Sequence, residues 1–176
     1  IRQVLDIYES MLKKYSIDDI MVLSAYNKGN AGTIAINNAI QSRFNPAKDS
    51  DVCRKLPNGQ TIMFKIGDKV INTHNKYNMP KYCIENDGDD KIEYMAVMNG
   101  DIGYIQKFVH IKNIHDVDTI GIVIKFDNGL ALVEENMINH LLLGYAISCH
   151  KSQGSQSKAV IALIHPEHEH MITNNL

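Results

Sequence analysis

Apolar residues recur at helical spacing at the start of the chain, and a short apolar run follows them. The residues that recur at this spacing predict an amphipathic helix over 1–15, and they are Val4, Leu5, Tyr8, Met11, Leu12 and Tyr15. The run at 20–23 has the length and composition of a buried strand. A loop and a second helix over 31–43 come next, and this order of elements is typical of an α/β layer. The buried face predicted for the second helix comprises Ile34, Ala35, Ala39 and Ile40.

Between residues 61 and 133 the pattern changes to short β-prone runs separated by turns. Asn58-Gly59, Asn99-Gly100 and Asn128-Gly129 suit hairpins whose turn residues need a positive φ. About five short strands in this span predict a small barrel. The acidic stretch at 87–90 is predicted to be a loop tip within that barrel.

Near residue 141 the pattern returns to that of the first part. Strands are predicted at 145–149 and at 159–164, with a polar turn at 150–157 between them. A last helix is predicted over 167–174, because Pro166 is well suited to the start of a helix. The chain is therefore predicted to be an α/β layer interrupted by an inserted β-barrel.

Composition narrows the class of protein without indicating a function. The chain has 176 residues and a net charge of −2, so no global basic field points to nucleic acid. Its three cysteines, Cys53, Cys83 and Cys149, are widely spaced, which argues against a disulfide framework and favours a reducing cytoplasm. No apolar run approaches the ~20 residues that a membrane span requires. The abrupt start without Met leads us to expect an excised piece of a longer protein.

The stretch from Gly144 to Ser155 collects the side chains with the most distinctive chemistry. Hydroxyl, imidazole and ammonium groups at the end of a strand are the groups that hold phosphate oxygens. A loop at a strand end of an α/β sheet is also where such folds usually bind ligands. The chemistry alone leaves an ordinary polar loop open as the alternative. The polar side chains of this stretch are Ser148, His150, Lys151, Ser152, Gln153 and Ser155.

Residues 146–155, Ala-Ile-Ser-Cys-His-Lys-Ser-Gln-Gly-Ser, resemble motif V of the RecD-like DNA helicases of superfamily 1B, A-x-T-x-H-K-S-Q-G-S. Four further segments resemble the same family in the same order. They are 22–32 (motif IV region), 37–41 with Asn45-Pro46 (LNxxLQ and LNP), 64–73 (F-x-x-GDKVMQ-T) and Asn99-Gly100-Asp101-Ile102-Gly103 (NGDIG). The chain departs from the family at Ser148, where Thr is usual, at Gln156, where an acidic residue is usual, and in the longer stretch at 79–97.

The resemblance implies a fold of the α/β class. It is a partial RecA-like (P-loop NTPase-like) parallel-sheet domain interrupted by an inserted SH3-like small β-barrel. Motor domain 2A would cover 1–58 and 136–176, ending before motif VI, and the 2B barrel would cover 59–135. The sequence holds no G-x-x-x-x-G-K-[ST] loop. We therefore expect the fragment alone to hydrolyse no ATP, and it has no complete catalytic set.

The resemblance also implies a parent that is an ATP-dependent 5′ to 3′ DNA helicase, acting in DNA repair and recombination, with the exodeoxyribonuclease V alpha subunit as one type. Ser148, His150, Lys151 and Ser152 would contact single-stranded DNA. Lys28, Gly154, Ser155 and Gln156 would line the nucleotide cleft. ATP and Mg²⁺ would bind to the parent and not to the fragment, and no further metal site is expected. The other expected partners are the N-terminal RecA-like domain of the same chain and subunits of a nuclease complex.

Three alternatives stay open at the level of sequence. The parent could be a Pif-type helicase or the helicase half of a conjugative relaxase, since motif V is similar in both. The chain could instead be a non-enzymatic binding module built around its barrel. Lys28 could be an ordinary solvated surface lysine.

Overall fold

The computed structural model describes residues 1–29, 31–46, 52–55, 59, 61–82, 92–112, 115–152 and 156–166. Within these residues, more belong to strands than to helices. The helices and strands in chain order are α1 (Arg2–Leu12), β1 (Ile20–Ser24), α2 (Thr33–Phe44), β2 (Cys53–Lys55), β3 (Thr61–Met63), β4 (Lys69–Asn72), β5 (Lys76–Pro80), β6 (Tyr94–Val97), β7 (Ile102–Lys112), β8 (Asp118–Phe126), β9 (Gly129–Val133), β10 (Leu141–Leu143), β11 (Ala146–Ser148) and β12 (Ala159–Ala162). Short 3-10 helices cover Ile17–Asp19 and Glu135–His140.

Contacts divide the chain into two compact units. The first unit contains Ile1–Pro46 and Leu143–Leu176, and the second contains Ala47–Leu142. The predicted barrel of 59–135 lies within the residue range of the second unit. At its start, β2 pairs antiparallel with β3 and so belongs to the second unit. At its end, the 3-10 helix is tied back to the residue after β4, because Thr73 N and Thr73 Oγ1 both donate to His140 O at 2.8 Å.

The first unit is built on a three-stranded parallel sheet with the order β11-β1-β12. Pairing of Val22 with Ala146 and of Ile20 with Ala159 fixes the two registers. The predicted strand at 20–23 is confirmed, and the other two strands of this sheet lie within the predicted strands at 145–149 and 159–164. The apolar run of β1 is continuous because a central parallel strand is covered on both faces.

The two helices belong to the first unit and differ in how well the pattern predicted them. α1 is shorter than predicted, since it ends at Leu12, and it buries Val4 and Tyr8. The other residues of the predicted face are half-buried or exposed, and they are Leu5, Met11, Leu12 and Tyr15. In α2 the predicted face is confirmed only at Ile40, which is buried. Its other members, Ile34, Ala35 and Ala39, are half-buried. Three polar side chains of α2 are buried, and one of them, Asn37, bonds to a distant strand. The buried residues of α2 are Thr33, Ile36, Asn37, Ile40 and Gln41.

The second unit is a β domain with a five-stranded sheet of order β10-β4-β7-β8-β9 and two separate hairpins, β2-β3 and β5-β6. Strands β4, β7, β8 and β9 pair antiparallel in that order. The predicted turn glycines are confirmed, since Gly59, Gly100 and Gly129 have φ of +82°, +98° and +141°. Buried side chains from four of the sheet's strands form its core: Val70, Ile71, Ile105, Ile122, Ile124, Phe126, Ala131 and Val133.

Some predictions fall on residues outside those that the structure describes. These are the acidic loop tip at 87–90 and the last helix at 167–174. Among the described residues, no helix combines the length and the apolar character needed to cross a membrane.

Candidate nucleic-acid interface

The carboxyl ends of β1 and β11 lie side by side at one edge of the parallel sheet. Ser24 and Ser148 are the last residues of these strands, and they are register partners. Both are buried, with exposed fractions of 1% and 7%. Because parallel strands end at the same edge, the loops that follow them leave the sheet next to each other.

The chain turns sharply after β11. The backbone N–H groups of Lys151 and Ser152 both donate to Ser148 O, at 2.9 and 3.1 Å. The Ser152 hydroxyl donates to Cys149 O at 2.8 Å. These bonds close a compact turn over 149–152, which we call the His150 turn.

The four predicted DNA-contacting residues are not equally accessible. His150 is exposed, and Lys151 and Ser152 are half-buried. Ser148 is buried at the strand end, and its carbonyl oxygen anchors the turn. The geometry therefore makes the imidazole of His150 the most accessible of the four groups, and it gives Ser148 a part in shaping the turn.

Ser24 connects the His150 turn to the loop that follows β1. Its carbonyl oxygen accepts a hydrogen bond from Cys149 N at 3.3 Å and a weak one from Cys149 Sγ at 3.7 Å. Its hydroxyl donates to Ala31 O at 2.6 Å. One buried residue thus holds both loops at the same edge of the sheet.

The loop between β1 and α2 is described at residues 25–29 and 31–32, and we call it the Lys28 loop. Its backbone is closely wound, and Lys28 is exposed. Thr33 N donates to Tyr26 O at 2.9 Å, and the Thr33 hydroxyl donates to Asn27 Oδ1 at 3.0 Å. Gly32 allows the winding, because a Cβ at this position would lie 2.4 Å from Lys28 O. The loop can therefore offer an ammonium group beside the His150 turn.

The predicted nucleotide-cleft residues are not all brought together. Lys28 lies at the carboxyl edge of the sheet, whereas Gln156 is exposed and lies shortly before β12. Lys158 Nζ is 3.1 Å from Asp19 Oδ2, just before β1, so this stretch has returned to the opposite edge. That hydrogen bond lowers the pKa of the Asp19 carboxyl, and a second one from Ser16 lowers it further. Gly154 and Ser155 lie outside the described residues.

The sequence did not point to a role for Asn37. Its Nδ2 donates to Ala146 O at 2.8 Å, and its Oδ1 accepts from Ala146 N at 2.8 Å. Two signals were available: its place in the segment 37–41 that resembles LNxxLQ, and its place on the α2 face together with Ile36 and Ile40.

Comparison with known proteins supports the earlier resemblance. Residues 36–127, more than half of the chain, match the family described as the ATP-dependent RecD-like DNA helicase SH3 domain. The chain belongs to this family. The resemblance inferred from five sequence segments is thus confirmed, and the β domain of the second unit carries most of the matched residues.

A relative of this RecD-like chain is the ATP-dependent RecD2 DNA helicase of Deinococcus radiodurans. The two are 26% identical over 157 residues, which cover 89% of this chain and 18% of that protein. The chain thus spans less than a fifth of the curated relative that it matches.

The SH3-like unit of this RecD-like chain contains a pair of facing imidazoles that sequence reasoning missed. His74 Nδ1 and His140 Nδ1 are 3.0 Å apart, and the ring centroids are 4.2 Å apart. Together with Lys76 they line a cavity of about 420 Å³. Burial lowers the pKa of His140, and the charges of His74, Arg54 and Lys76 lower it further. Their separation of 66 positions left no local signal.

Proposed function

We propose that this chain is the part of a RecD-like DNA helicase that grips single-stranded DNA by its sugar–phosphate backbone. The parent is an ATP-dependent motor that moves 5′ to 3′, and the parallel sheet of the first unit is part of its second RecA-like domain. One observation carries the proposal. The His150 turn and the Lys28 loop leave the same edge of a parallel sheet, and Ser24 holds both of them.

The grip uses groups that recognise phosphate and ignore base identity. The exposed imidazole of His150 donates to a phosphate oxygen, and the ammonium group of Lys151 supplies a positive charge beside it. The buried Ser148 holds the turn in shape through its carbonyl oxygen. Contacts of this kind suit a motor that has to step along every sequence alike.

In this proposal, ATP binds to the parent protein. The described residues fit it only in part, since Lys28 supplies one exposed ammonium group for a phosphate and Gln156 lies towards the opposite edge. When bound, ATP supplies the free energy that moves one motor domain relative to the other. The contribution of this chain is to hold the strand while that motion takes place.

Fluorescence anisotropy with labelled single strands of several sequences tests the proposal. We expect weak binding that is the same for all sequences, and a loss of roughly three- to tenfold in affinity for His150→Ala or Lys151→Ala, as for a single phosphate contact. Lys14→Ala is the matched control, because it removes an exposed lysine from the same unit. Strong preference for one sequence, or equal losses in Lys14→Ala and Lys151→Ala, would rule the proposal out.

A second candidate is a binding module in which the SH3-like unit docks a protein partner. The observation that favours it is a group of exposed apolar side chains on and beside the β5-β6 hairpin. Tyr77, Ile92 and Tyr94 are exposed by 65%, 65% and 55%. Under this alternative, Tyr77→Ala abolishes capture of the partner, and the His150→Ala substitution leaves single-strand affinity unchanged.

A further inference from the structure

The amide of Asn37 occupies the place that a neighbouring strand would take beside β11. β11 is the outer strand of the three-stranded sheet. Val22 N donates to Tyr145 O at 3.1 Å on the β1 side, so the N–H and C=O of Ala146 face away from β1. Asn37 satisfies both of these groups, each at 2.8 Å. Its side chain completes the hydrogen bonding of an edge that is buried.

The same helix fixes the Lys28 loop. Thr33 lies one helical turn before Asn37 on the buried face of α2. Thr33 bonds the loop through its backbone N–H to Tyr26 O and through its hydroxyl to Asn27 Oδ1. α2 is therefore bonded to the Lys28 loop at its first turn and to β11 one turn later.

The position of β11 in turn determines that of the His150 turn. Ala146 is followed closely by Ser148, whose carbonyl oxygen accepts the N–H groups of Lys151 and Ser152. A shift of β11 therefore shifts these anchors of the turn with it. Loss of the Asn37 amide would leave the N–H and C=O of Ala146 buried without partners, which favours such a shift.

We propose that Asn37 is a positioning residue for the binding of single-stranded DNA at the His150 turn. It holds β11 so that the His150 turn stands at a fixed distance from the Lys28 loop. The inference rests on the proposed function, because it assigns Asn37 a part in binding single-stranded DNA. It adds a residue that touches no DNA and acts through Ala146.

The first test joins amide hydrogen exchange of the chain to single-strand anisotropy. In Asn37→Ala we expect faster exchange at the Ala146 amide and a loss of about tenfold in single-strand affinity, the effect of one buried hydrogen-bonded group. Asn38→Ala is the matched control. This neighbour in α2 is half-buried and makes no side-chain hydrogen bond within the described residues, so neither quantity should change.

A second variant covers the case in which Asn37→Ala fails to fold. In Asn37→Asp an ionised carboxylate still accepts from Ala146 N but repels Ala146 O. A protonated carboxyl donates to that oxygen and restores both bonds. Burial favours the protonated form. We therefore expect single-strand affinity, divided by that of the unmodified chain at the same pH, to recover as the pH falls from about 8 to about 5.

The outcomes separate the two proposals. A constant deficit of Asn37→Asp at every pH, or unchanged affinity in Asn37→Ala despite faster exchange at Ala146, overturns the positioning role. The proposed function survives both results if His150→Ala still weakens single-strand binding. It fails if His150→Ala binds single strands as well as the unmodified chain does, whatever the Asn37 variants show.

Discussion

Tyr8 is a buried residue whose hydroxyl has no hydrogen-bond partner among the described residues. Its ring is fully buried and lies 5.2 Å from that of Phe44. Burial raises the pKa of the phenol, and the charge of Asp18 raises it further. The hydroxyl has thus lost its water without gaining a bond, which costs free energy in the folded state.

Tyr8→Phe removes that cost while keeping the ring. We expect the free energy of unfolding to rise by about 1 kcal/mol, measured by urea unfolding. Tyr15→Phe provides the control, because this tyrosine is 37% exposed and its substitution should change little. A clear fall in the stability of Tyr8→Phe would mean that the hydroxyl has a bond in the folded protein.

His140 makes the stability of the second unit depend on pH. Its pKa is lowered from the ordinary 6.5 by burial and by nearby cations, so the unfolded chain binds this proton more readily than the folded one. The contribution of His140 to stability is therefore complete above about pH 6.5 and declines as the pH falls through the lower, folded pKa. His140→Asn should flatten the dependence of unfolding free energy on pH below that value. His110→Asn, at an exposed position of β7, is the matched control and should keep the slope.

The conformation of the Lys28 loop requires a residue without a side chain at position 32. A Cβ there would lie 2.4 Å from Lys28 O and 2.7 Å from Asn27 O. These are backbone atoms, which cannot rotate aside as a side chain can. Gly32→Ala should therefore open the loop or displace α2.

We expect Gly32→Ala to lower the free energy of unfolding by about 2 kcal/mol or more. Denaturant unfolding measures the loss, and the amide chemical shifts of Lys28 show whether the loop has moved. Gly103→Ala is an instructive comparison, because its Cβ would meet the side chains of Ile124 and Phe126 in the other unit. It should destabilise the chain and leave the Lys28 loop unchanged. Equal amide shifts at Lys28 in both variants would contradict this account.

At the scale of elements, the sequence predicted those features that depend on residues close together in the chain. The apolar run of β1 and the positive φ of Gly100 and Gly129 depend on near neighbours, and they were predicted correctly. The buried face of α2 was not, because Asn37 is buried through a bond to Ala146, 109 positions away. The His150 turn was found through its chemistry, whereas the burial of Ser148 follows from its pairing with β1.

At the scale of the whole molecule, one unit interrupts the other in sequence. The strands that form the candidate interface belong to the first and last parts of the chain, and the SH3-like unit lies between them. At the start of the second unit, β2 was not predicted, because it is short and gives only a weak periodic signal. The family was found all the same, because its motifs occur in both units.

Because the overall charge is slightly negative, the proposed binding of DNA depends on a few local cations. This predicts how the affinity for single strands varies with salt concentration. With a net charge of −2, the chain as a whole does not attract DNA, so binding depends on the few cations at the carboxyl edge of the sheet. Each phosphate contact on a single strand contributes about −0.7 to the slope of log K against log salt. The contact proposed for Lys151 should therefore contribute about −0.7 to this slope.

Lys151→Ala should reduce the magnitude of that slope by about 0.7 for every strand sequence, since one phosphate contact is lost. Anisotropy titrations at several salt concentrations measure it. Lys14→Ala should lower affinity slightly at most and leave the slope in place, because Lys14 lies between α1 and β1 in the chain and belongs to neither of the two loops at the carboxyl edge. An equal slope in Lys151→Ala and in the unmodified chain would mean that the Lys151 ammonium group contacts no phosphate. The attraction to DNA would then have to come from cations elsewhere in the chain.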